Sequence, residues 1–430
     1  MLKEGQKFTV KCEEMNNFGN SVCRIDGLVV FINGAVSGDF VEAEVKKITS
    51  NYAIAETTKI ITQSPYRVTP ACTSYERCGG CAFSTVHIKK ENEIKTGYVK
   101  GTLAKFGIDA KVEDIVCPVS DFYRNKVILF YSNGRFGYME RATNRVVPHK
   151  ACPLNDGIFD DIARFTAKEL DDKRLRALYM RKSSGDDGEI MVCPIFTKET
   201  DIKHYAKKLK SEFPRVSTIL SGVIYAKDFV LEACEFELVR GEGYIKDELC
   251  GLEFEISPRS FYQVNHACAT ELYEKVISLL DADENSQIAD LFCGTGTIGM
   301  IVAKRTGARV YGVEIEPSAV EDAKRNAVLN EVENIEFFEG DAKNFNKKVD
   351  ACIIDPPRKG CSDFMLDTLL RLNPQKIIYV SCNPDTLARD LKKLTRKYKI
   401  SSPVFAYNMF PRTAHIESVV CLTRQANEKG

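Results

Sequence analysis

The first 60 residues contain short runs in which apolar and polar positions alternate, separated by turns rich in Gly, Asn and Asp. Three runs, Lys7–Lys11, Leu28–Ile32 and Phe40–Val45, have the period of two that is typical of half-buried strands. Their length and spacing predict a small, OB-like β-barrel. Gly19 lies in a turn where such a barrel would approach a nucleic-acid backbone, although a purely structural barrel fits the pattern nearly as well.

The middle of the chain, residues 61–250, combines a loop-like stretch with a second β-rich region. Residues 88–106 have helical periodicity that ends at Gly107, and we expect this helix to pack on the domain that follows residue 250. A strand meander begins near Tyr123, and amphipathic helices are predicted near 157–170 and 201–212. These patterns predict a central domain that is rich in β-structure.

From about residue 255, strand-like and helix-like patterns alternate, which is typical of a doubly wound α/β domain. The predicted strands are Gln287–Phe292, Arg309–Glu314, Ile335–Glu339, Ala351–Asp355, Lys376–Ser381, Val404–Met409 and His415–Leu422. The short connection between the last two predicts an antiparallel pair at the end of the sheet. The fold class is therefore α/β, and we predict three domains: a β-barrel at 1–60, a β-rich central domain at 61–250 and a Rossmann-like domain at 251–430.

Composition and charge narrow the class of protein. The chain has 430 residues, of which 44% are apolar, and 60 basic residues balance 60 acidic ones. It contains no run of about 20 apolar residues for a membrane span, and its polar first residues do not resemble a signal peptide. We therefore predict a cytoplasmic protein without a membrane or an obligate protein partner. In this setting the 16 cysteines indicate buried thiols, metal ligands or a nucleophile, not disulfides.

A glycine-rich loop follows the first predicted strand of the α/β domain. Residues 290–299 read Asp-Leu-Phe-Cys-Gly-Thr-Gly-Thr-Ile-Gly and match G-x-G-x-x-G, and Glu314 ends the next strand, where an acid would accept hydrogen bonds from a ribose. Both NAD and S-adenosylmethionine carry such a ribose. Two further acids favour the methyl donor: Asp341 is placed to accept from an adenine amino group, and Asp355 begins an Asp-Pro-Pro-Arg turn at the reactive end of the cofactor.

Cys382 stands in a Ser-Cys-Asn-Pro turn between an apolar strand and a helix-like segment. The open end of a sheet is where α/β proteins bind ligands, and the helix N-terminus is expected to favour a thiolate. Beside a methylsulfonium, addition of Cys382 to carbon 6 of uracil would activate carbon 5, which alone is too weak a nucleophile to take a methyl group. Glu417 is then a candidate base for the carbon 5 proton, or an acid on an exposed strand face. The basic stretch Arg389–Lys399 fits a solvated helix face or a phosphate-contacting face, and beside this site we favour the phosphate contact.

These motifs, together with Phe-Pro-Arg-Thr-Ala-His-Ile-Glu at 410–417, resemble those of the S-adenosylmethionine-dependent RNA (uracil-5-)-methyltransferases. The resemblance covers nearly the whole chain, since the ribosomal RNA branch of this family commonly begins with a TRAM-type β-barrel. It implies Cys382 as nucleophile and Glu417 as base, with cofactor contacts from Gln263, Phe292, Glu314, Asp341 and Asp355. Many members have Tyr in place of Phe292, so a hydroxyl hydrogen bond is lost there. Phe261 is a candidate to pack on the target base.

Cys72, Cys78 and Cys81 lie within ten residues, next to two glycines, and this spacing is a strong signal for metal binding. A fourth ligand must come from elsewhere, and Cys152 is our candidate, with His87 as a zinc-style alternative. The resemblance implies a 4Fe-4S cluster on the four cysteines. We expect the cluster to serve structure or RNA positioning, because the spacing differs from that of radical enzymes.

The sequence thus predicts an enzyme that makes 5-methyluridine in structured RNA, with 23S ribosomal RNA favoured and transfer RNA as the alternative. A nicotinamide-dependent oxidoreductase built on the same glycine loop is a less favoured hypothesis. A non-catalytic iron-sulfur RNA-binding protein is a third, but it leaves Cys382 and Glu417 unexplained.

Overall fold

In the computed structural model, which describes residues 2–425, the N-terminal region forms a β-sheet. Its six strands are β1 (Lys7–Lys11), β2 (Glu14–Met15), β3 (Ser21–Ile25), β4 (Leu28–Asn33), β5 (Phe40–Ile48) and β6 (Tyr52–Thr62). They are ordered β1-β5-β6-β4-β3-β2, with β4 and β6 parallel. Alternate apolar residues such as Val30, Ile32, Ala53 and Ala55 fill the core of this unit, so the alternating pattern of the sequence forms its inner face.

The central region forms a seven-stranded sheet covered by helices. Its elements follow α1 (Ile88–Lys105) and are β7 (Lys126–Ser132), β8 (Arg135–Met139), β9 (Val146–Pro148), α2 (Gly157–Glu169), β10 (Leu175–Lys182), β11 (Ile190–Phe196), α3 (Lys203–Glu212), β12 (Val216–Val223) and β13 (Glu235–Arg240). The strand order is β13-β12-β11-β10-β7-β8-β9. A separate hairpin, β14 (Ile245–Leu249) and β15 (Leu252–Ile256), leads out of this region.

The C-terminal region is a doubly wound α/β domain. Its elements are α4 (His266–Leu280), β16 (Gln287–Leu291), α5 (Thr297–Thr306), β17 (Arg309–Glu314), α6 (Pro317–Leu329), β18 (Ile335–Glu339), β19 (Ala351–Ile354), α7 (Asp363–Leu372), β20 (Lys376–Ser381), α8 (Pro384–Leu394), β21 (Tyr398–Ile400), β22 (Phe405–Tyr407) and β23 (Glu417–Arg424). The sheet is ordered β18-β17-β16-β19-β20-β23-β21, and β22 also pairs with β23.

The topology positions the candidate residues at one edge of this sheet. Strands β18, β17, β16, β19 and β20 are parallel, so their carboxyl ends meet at the same edge. Strand β23 runs antiparallel to β20 and therefore begins at that edge. The predicted fold class is confirmed, with an antiparallel strand closing the sheet. Within residues 2–425, every helix is too short or too polar to cross a lipid bilayer.

The basic stretch at 389–399 is not a single face. Helix α8 ends at Leu394, and Tyr398 is buried in the short strand β21, which the sequence reasoning missed. Arg389 donates to two backbone carbonyls of the loop that precedes α7, and Lys393 forms ion pairs with acids of α7. These two cations bind groups of the protein itself, whereas Lys392, Arg396, Lys397 and Lys399 are exposed. The phosphate-contacting face stays a prediction.

Candidate active site

Cys382 and Glu417 lie at the ends of two paired strands. The register of β20 and β23 ends at Ser381 and Ser418, the chain neighbours of Cys382 and Glu417, and the charge of Glu417 acts on the Cys382 thiol. Strand β22 flanks Glu417 on its other side through Tyr407. Only 5% of Glu417 is exposed, whereas Cys382 is half-buried. Glu417 therefore lies within the site and not on an exposed strand face.

The Asp-Pro-Pro-Arg turn is fastened to the turn that carries Cys382. The Asn383 side chain donates to the backbone carbonyl of Arg358 at 3.1 Å, and its oxygen accepts from the backbone N–H of Asp385, which caps α8. The Arg358 guanidinium lies 3.1 Å from Nδ1 of His415, two residues before Glu417. These contacts hold Asp355, Cys382 and Glu417 around one space at the edge of the sheet.

The electrostatics of this space favour a cationic ligand. Burial, followed by the charges of Glu417 and Asp355, raises the pKa of the Cys382 thiol to about 12, and Arg358 opposes this effect. Burial and the charge of Asp355 raise the pKa of Glu417 well above its usual value, and burial raises that of Asp355 to about 6. The expectation that the helix N-terminus favours a thiolate is therefore wrong for the protein without ligand. A positively charged sulfonium would reduce the mutual repulsion of the ionised forms of Cys382, Glu417 and Asp355.

Glu314 is held by the glycine-rich loop at the same edge of the sheet. One Glu314 carboxylate oxygen accepts from the backbone N–H of Gly294 at 3.0 Å, and the other accepts from that of Ile315 at 2.8 Å. Phe292 has a φ of 69°, a left-handed conformation that costs a non-glycine residue about 1–3 kcal/mol and is typical of functional sites. Asp341 caps a short turn after β18 and forms an ion pair with Lys343 at 2.8 Å.

The loop that carries Gln263 is held by the central domain. Gln263 is buried, and its backbone carbonyl accepts from the Asn125 side chain at 2.9 Å. The fully buried Arg181 donates to two further carbonyls of this loop at 3.1 and 3.2 Å. Phe261 is 62% exposed, and its carbonyl accepts from Thr295 of the glycine loop. Sequence reasoning missed Asn125 and Arg181; the available signal was a cation within the apolar strand β10.

The four predicted cysteine ligands line one cavity of about 350 Å³, and His87 lines it too. Each of Cys72, Cys81 and Cys152 has a pKa raised by burial and, to a smaller extent, by another thiol of the set, so the four sulfurs lie within electrostatic range. Over residues 2–425, no group of three or more His, Cys, Asp or Glu side chains is arranged to hold a metal ion. In number and donor chemistry the four thiols fit a four-thiolate cluster.

Comparison with known proteins identifies the family. A methyltransferase-domain family matches residues 282–420, and the TRAM-domain family matches residues 2–58. An uncharacterized RNA methyltransferase of Bacillus cereus is 31% identical, covering 98% of this chain and 98% of its own length. The chain belongs to the RNA methyltransferase family. A relative of this RNA methyltransferase in Clostridium tetani, also an uncharacterized RNA methyltransferase, is 31% identical over 100% of this chain.

A solved structure supports the same assignment. The tRNA (uracil-54, C5)-methyltransferase of Pyrococcus abyssi, in complex with S-adenosyl-L-homocysteine, is similar with a TM-score of 0.78 and 26% identity, covering 97% of this chain and 100% of that one. The predicted family is confirmed, so this protein is an RNA methyltransferase that uses S-adenosylmethionine, with a TRAM domain at its N-terminus. The predicted 4Fe-4S cluster and cytoplasmic location stay predictions.

Proposed function

We propose that this RNA methyltransferase modifies carbon 5 of a uridine through a covalent adduct with Cys382. The observation that carries the proposal is the position of Cys382 directly after β20 and of Glu417 at the start of the paired strand β23, with the Asp355 turn fastened to the Cys382 turn. This arrangement supplies a nucleophile and a base at the edge of the sheet where we propose that the cofactor binds. A methyl transfer to a nitrogen or to a ribose oxygen has no use for this pair.

The two side chains divide the reaction between them. The Cys382 thiol first gives its proton to water, which a positive charge beside it would favour. The thiolate forms a bond to carbon 6 of uracil, and the electrons of the carbon 5–carbon 6 double bond make carbon 5 nucleophilic. S-adenosylmethionine supplies the electrophilic methyl group and leaves as S-adenosylhomocysteine. Glu417 then removes the carbon 5 proton, and the electrons of that bond restore the double bond as the bond from carbon 6 to sulfur breaks. The thiolate is regenerated, and the carboxyl proton is released to water.

The environment of Glu417 suits a base for a weakly acidic proton. A carboxylate whose pKa is raised by burial holds an abstracted proton more firmly than an exposed one. We propose that the cofactor is held by Glu314 at its ribose, by Asp341 at its adenine and by Asp355 at its charged end, with further contacts from Gln263 and Phe292. Phe261, exposed beside the glycine loop, is available to stack on the target base.

Two substitutions test the chemistry. Cys382→Ala should abolish methylation and any covalent RNA adduct while S-adenosylmethionine still binds, and Glu417→Gln should trap an adduct that survives denaturing electrophoresis. Cys250→Ala is the control, because Cys250 is half-buried like Cys382 but lies in the β14–β15 turn. Methylation by Cys382→Ala would contradict the assignment of Cys382 as the nucleophile. Loss of turnover without adduct in Glu417→Gln contradicts the proposed base.

Two RNA classes compete as substrate. Ribosomal RNA follows from the sequence resemblance, while transfer RNA is favoured by the similarity of nearly the whole chain to the Pyrococcus abyssi enzyme. We propose 23S ribosomal RNA as the substrate, with transfer RNA as the alternative. Mass spectrometric mapping of 5-methyluridine in both RNA classes, from cells with and without the gene, decides between them. Loss confined to transfer RNA contradicts the ribosomal assignment.

We further propose that Cys72, Cys78, Cys81 and Cys152 hold a 4Fe-4S cluster. Its support is the shared cavity, together with a backbone N–H of Gly80 that lies 3.4 Å from the Cys78 sulfur, the kind of hydrogen bond that stabilises cluster thiolates. Iron and acid-labile sulfide should be present after anaerobic purification and absent in Cys81→Ala. Zinc without iron would contradict the cluster.

A further inference from the structure

The barrel carries an aromatic surface on the face that its own core does not use. Because side chains alternate along a strand, the residues between the core positions of β4 and β6 point outward. These outward positions are occupied by Phe31, Tyr52 and Ile54, where a solvated face would carry polar residues. The rings of Phe31 and Tyr52 meet edge to face at 5.7 Å. Phe18, in the adjoining turn, is 64% exposed.

These aromatic side chains line a groove of about 530 Å³ whose chemistry suits a nucleobase. The other lining residues are Ile54 and four asparagines, so all eight side chains are uncharged: Asn16, Asn17, Phe18, Asn20, Phe31, Asn33, Tyr52 and Ile54. Aromatic faces stack on any base. Several of the amides are engaged within the protein, because Asn16 accepts from the backbone N–H groups of Phe18 and Asn20, and Asn33 donates to Glu56 at 2.6 Å, so the aromatic faces carry the recognition. A phosphate or another anion would find no counter-charge inside the groove.

Cations flank the groove on its outer face. The strand registers align Arg24 with Val29 and Val29 with Tyr52, and they align Lys47 with Ile54, so both cations stand in the same rows as the aromatic surface. Both side chains are exposed. The carboxylates of this face lie in the next row, where Glu56 is aligned with Asn33 and with Glu44, so the cations stand at the Tyr52–Ile54 end of the groove. At that end, uncharged stacking surfaces beside exposed cations match the alternation of base and phosphate in single-stranded RNA, which favours RNA over an apolar protein segment.

The groove is also fixed relative to the active site. Gly19, next to Phe18, has a φ of +80°, and a Cβ there would lie 2.0 Å from the carbonyl oxygen of Ala82. The Ala82 N–H donates at 2.7 Å to the carbonyl of Arg412, five residues before Glu417. The turn that carries Phe18 thus packs against Ala82, which is hydrogen-bonded to the segment that leads into β23. The sequence had suggested that Gly19 approaches the backbone of a ligand, but it approaches protein backbone instead.

We propose that Phe18, Phe31 and Tyr52 form a stacking site for an unpaired base of the RNA substrate, with Arg24 and Lys47 on its neighbouring phosphates. The inference rests on the proposed function in one respect: it assumes that the RNA bound in the groove is the RNA that enters the active site. It assigns the barrel a second contact at a fixed position from Cys382. Target choice then depends on an unpaired base at a set position from the modified uridine.

Fluorescence anisotropy with the full-length protein tests the site. The probe is a labelled single-stranded RNA of mixed sequence and about 12 nucleotides, within the range of about 4–16 that one such barrel covers. Phe18→Ala and Tyr52→Ala should each weaken binding by about 5- to 150-fold, the loss that one stacked base represents, and Phe18→Tyr should retain it. Tyr225→Ala, at a side chain that is 65% exposed in the central domain, is the matched control.

The salt dependence and the chemistry separate the outcomes. Arg24→Ala should lower the slope of log affinity against log salt by about one, as expected for a lost phosphate contact. Unchanged RNA affinity in Phe18→Ala overturns the proposal. If that variant binds RNA normally but has lost association with a protein, the groove is a protein-binding site and the proposal is also overturned. Methylation at an atom other than carbon 5 overturns the proposed function but leaves these binding results in place. Thermal melting verifies that each variant is folded.

Discussion

Replacing Glu417 by Gln should make the Cys382 thiol more reactive while it stops turnover. Glu417 is the charge that contributes most to raising the pKa of this thiol, after burial, and Arg358 acts in the opposite direction. Since the thiolate and not the thiol reacts with an alkylating reagent, removal of the carboxylate should accelerate alkylation of Cys382. Arg358→Gln should slow it. The two variants thus separate the electrostatics of the site from its catalytic competence.

The magnitude follows from the strand register. Neighbouring side chains on an antiparallel pair of strands have Cβ atoms about 5 to 8 Å apart, and two unit charges at such distances interact by about 2 to 3 kcal/mol at an effective dielectric constant of about 20. Such an interaction raises a pKa by about 2, so full loss would accelerate alkylation by about 100-fold. Because Cys382 is only half-buried and water screens part of the interaction, we expect roughly tenfold.

Iodoacetamide labelling at pH 9 measures the effect, with mass spectrometry of the Cys382 peptide against the other cysteines of the chain. The difference between wild type and Glu417→Gln should shrink as the pH falls, because Glu417 itself becomes protonated through a pKa that lies well above the usual range. Asp355→Asn should act in the same direction as Glu417→Gln. An alkylation rate in Glu417→Gln that equals or falls below the wild-type rate refutes the electrostatic account of the site.

Three further predictions concern stability and cofactor affinity. Glu91→Gln should destabilise the protein by about 3 kcal/mol or more, because it leaves the buried Lys95 without its carboxylate, and thermal denaturation should show partial recovery in the double variant Glu91→Leu, Lys95→Met. Gly19→Ala should lower the melting temperature, since its Cβ would meet a carbonyl oxygen at 2.0 Å, whereas Gly27→Ala, at a similar φ of +83° with no atom within 4 Å, should have a smaller effect. S-adenosylmethionine affinity, measured by calorimetry, should fall as the pH drops through about 6, because protonation of Asp355 removes a negative charge from the cationic end of the cofactor, and Asp355→Asn should lose this dependence.

The motif residues were predictable because the fold itself brings strand ends together. Continuous apolar runs such as Lys376–Ser381 are typical of strands buried on both faces, and the residues that follow such strands meet at one edge of a parallel sheet. Only one further assumption, an antiparallel last strand, was needed to oppose Cys382 and Glu417. Local sequence pattern and one topological rule were therefore enough to place these residues at one edge of the sheet.

The remaining features depend on contacts between distant parts of the chain, which no local pattern encodes. Arg181 holds the Gln263 loop from about 80 residues away in sequence, and its partners are backbone carbonyls that carry no sequence signature. The prediction of a thiolate at Cys382 failed for a related reason. It weighed the N-terminus of α8 but not the burial and the two carboxylates that the tertiary fold adds, and these effects are larger.

The position of Glu417 is set from the other end of the chain. Residues 408–416, which lead into β23, are fastened by Glu91 of α1, whose carboxylate accepts from the Asn408 side chain at 3.0 Å and from the Arg412 backbone at 2.9 Å. The Arg412 carbonyl in turn accepts from the two backbone N–H groups that follow Cys81. Because the base must reach a carbon-bound proton, a displacement of this segment costs turnover without loosening the cofactor. A change in the structure around the four cysteines should therefore slow the proton-abstraction step, because it would displace the segment 408–416 that leads to Glu417.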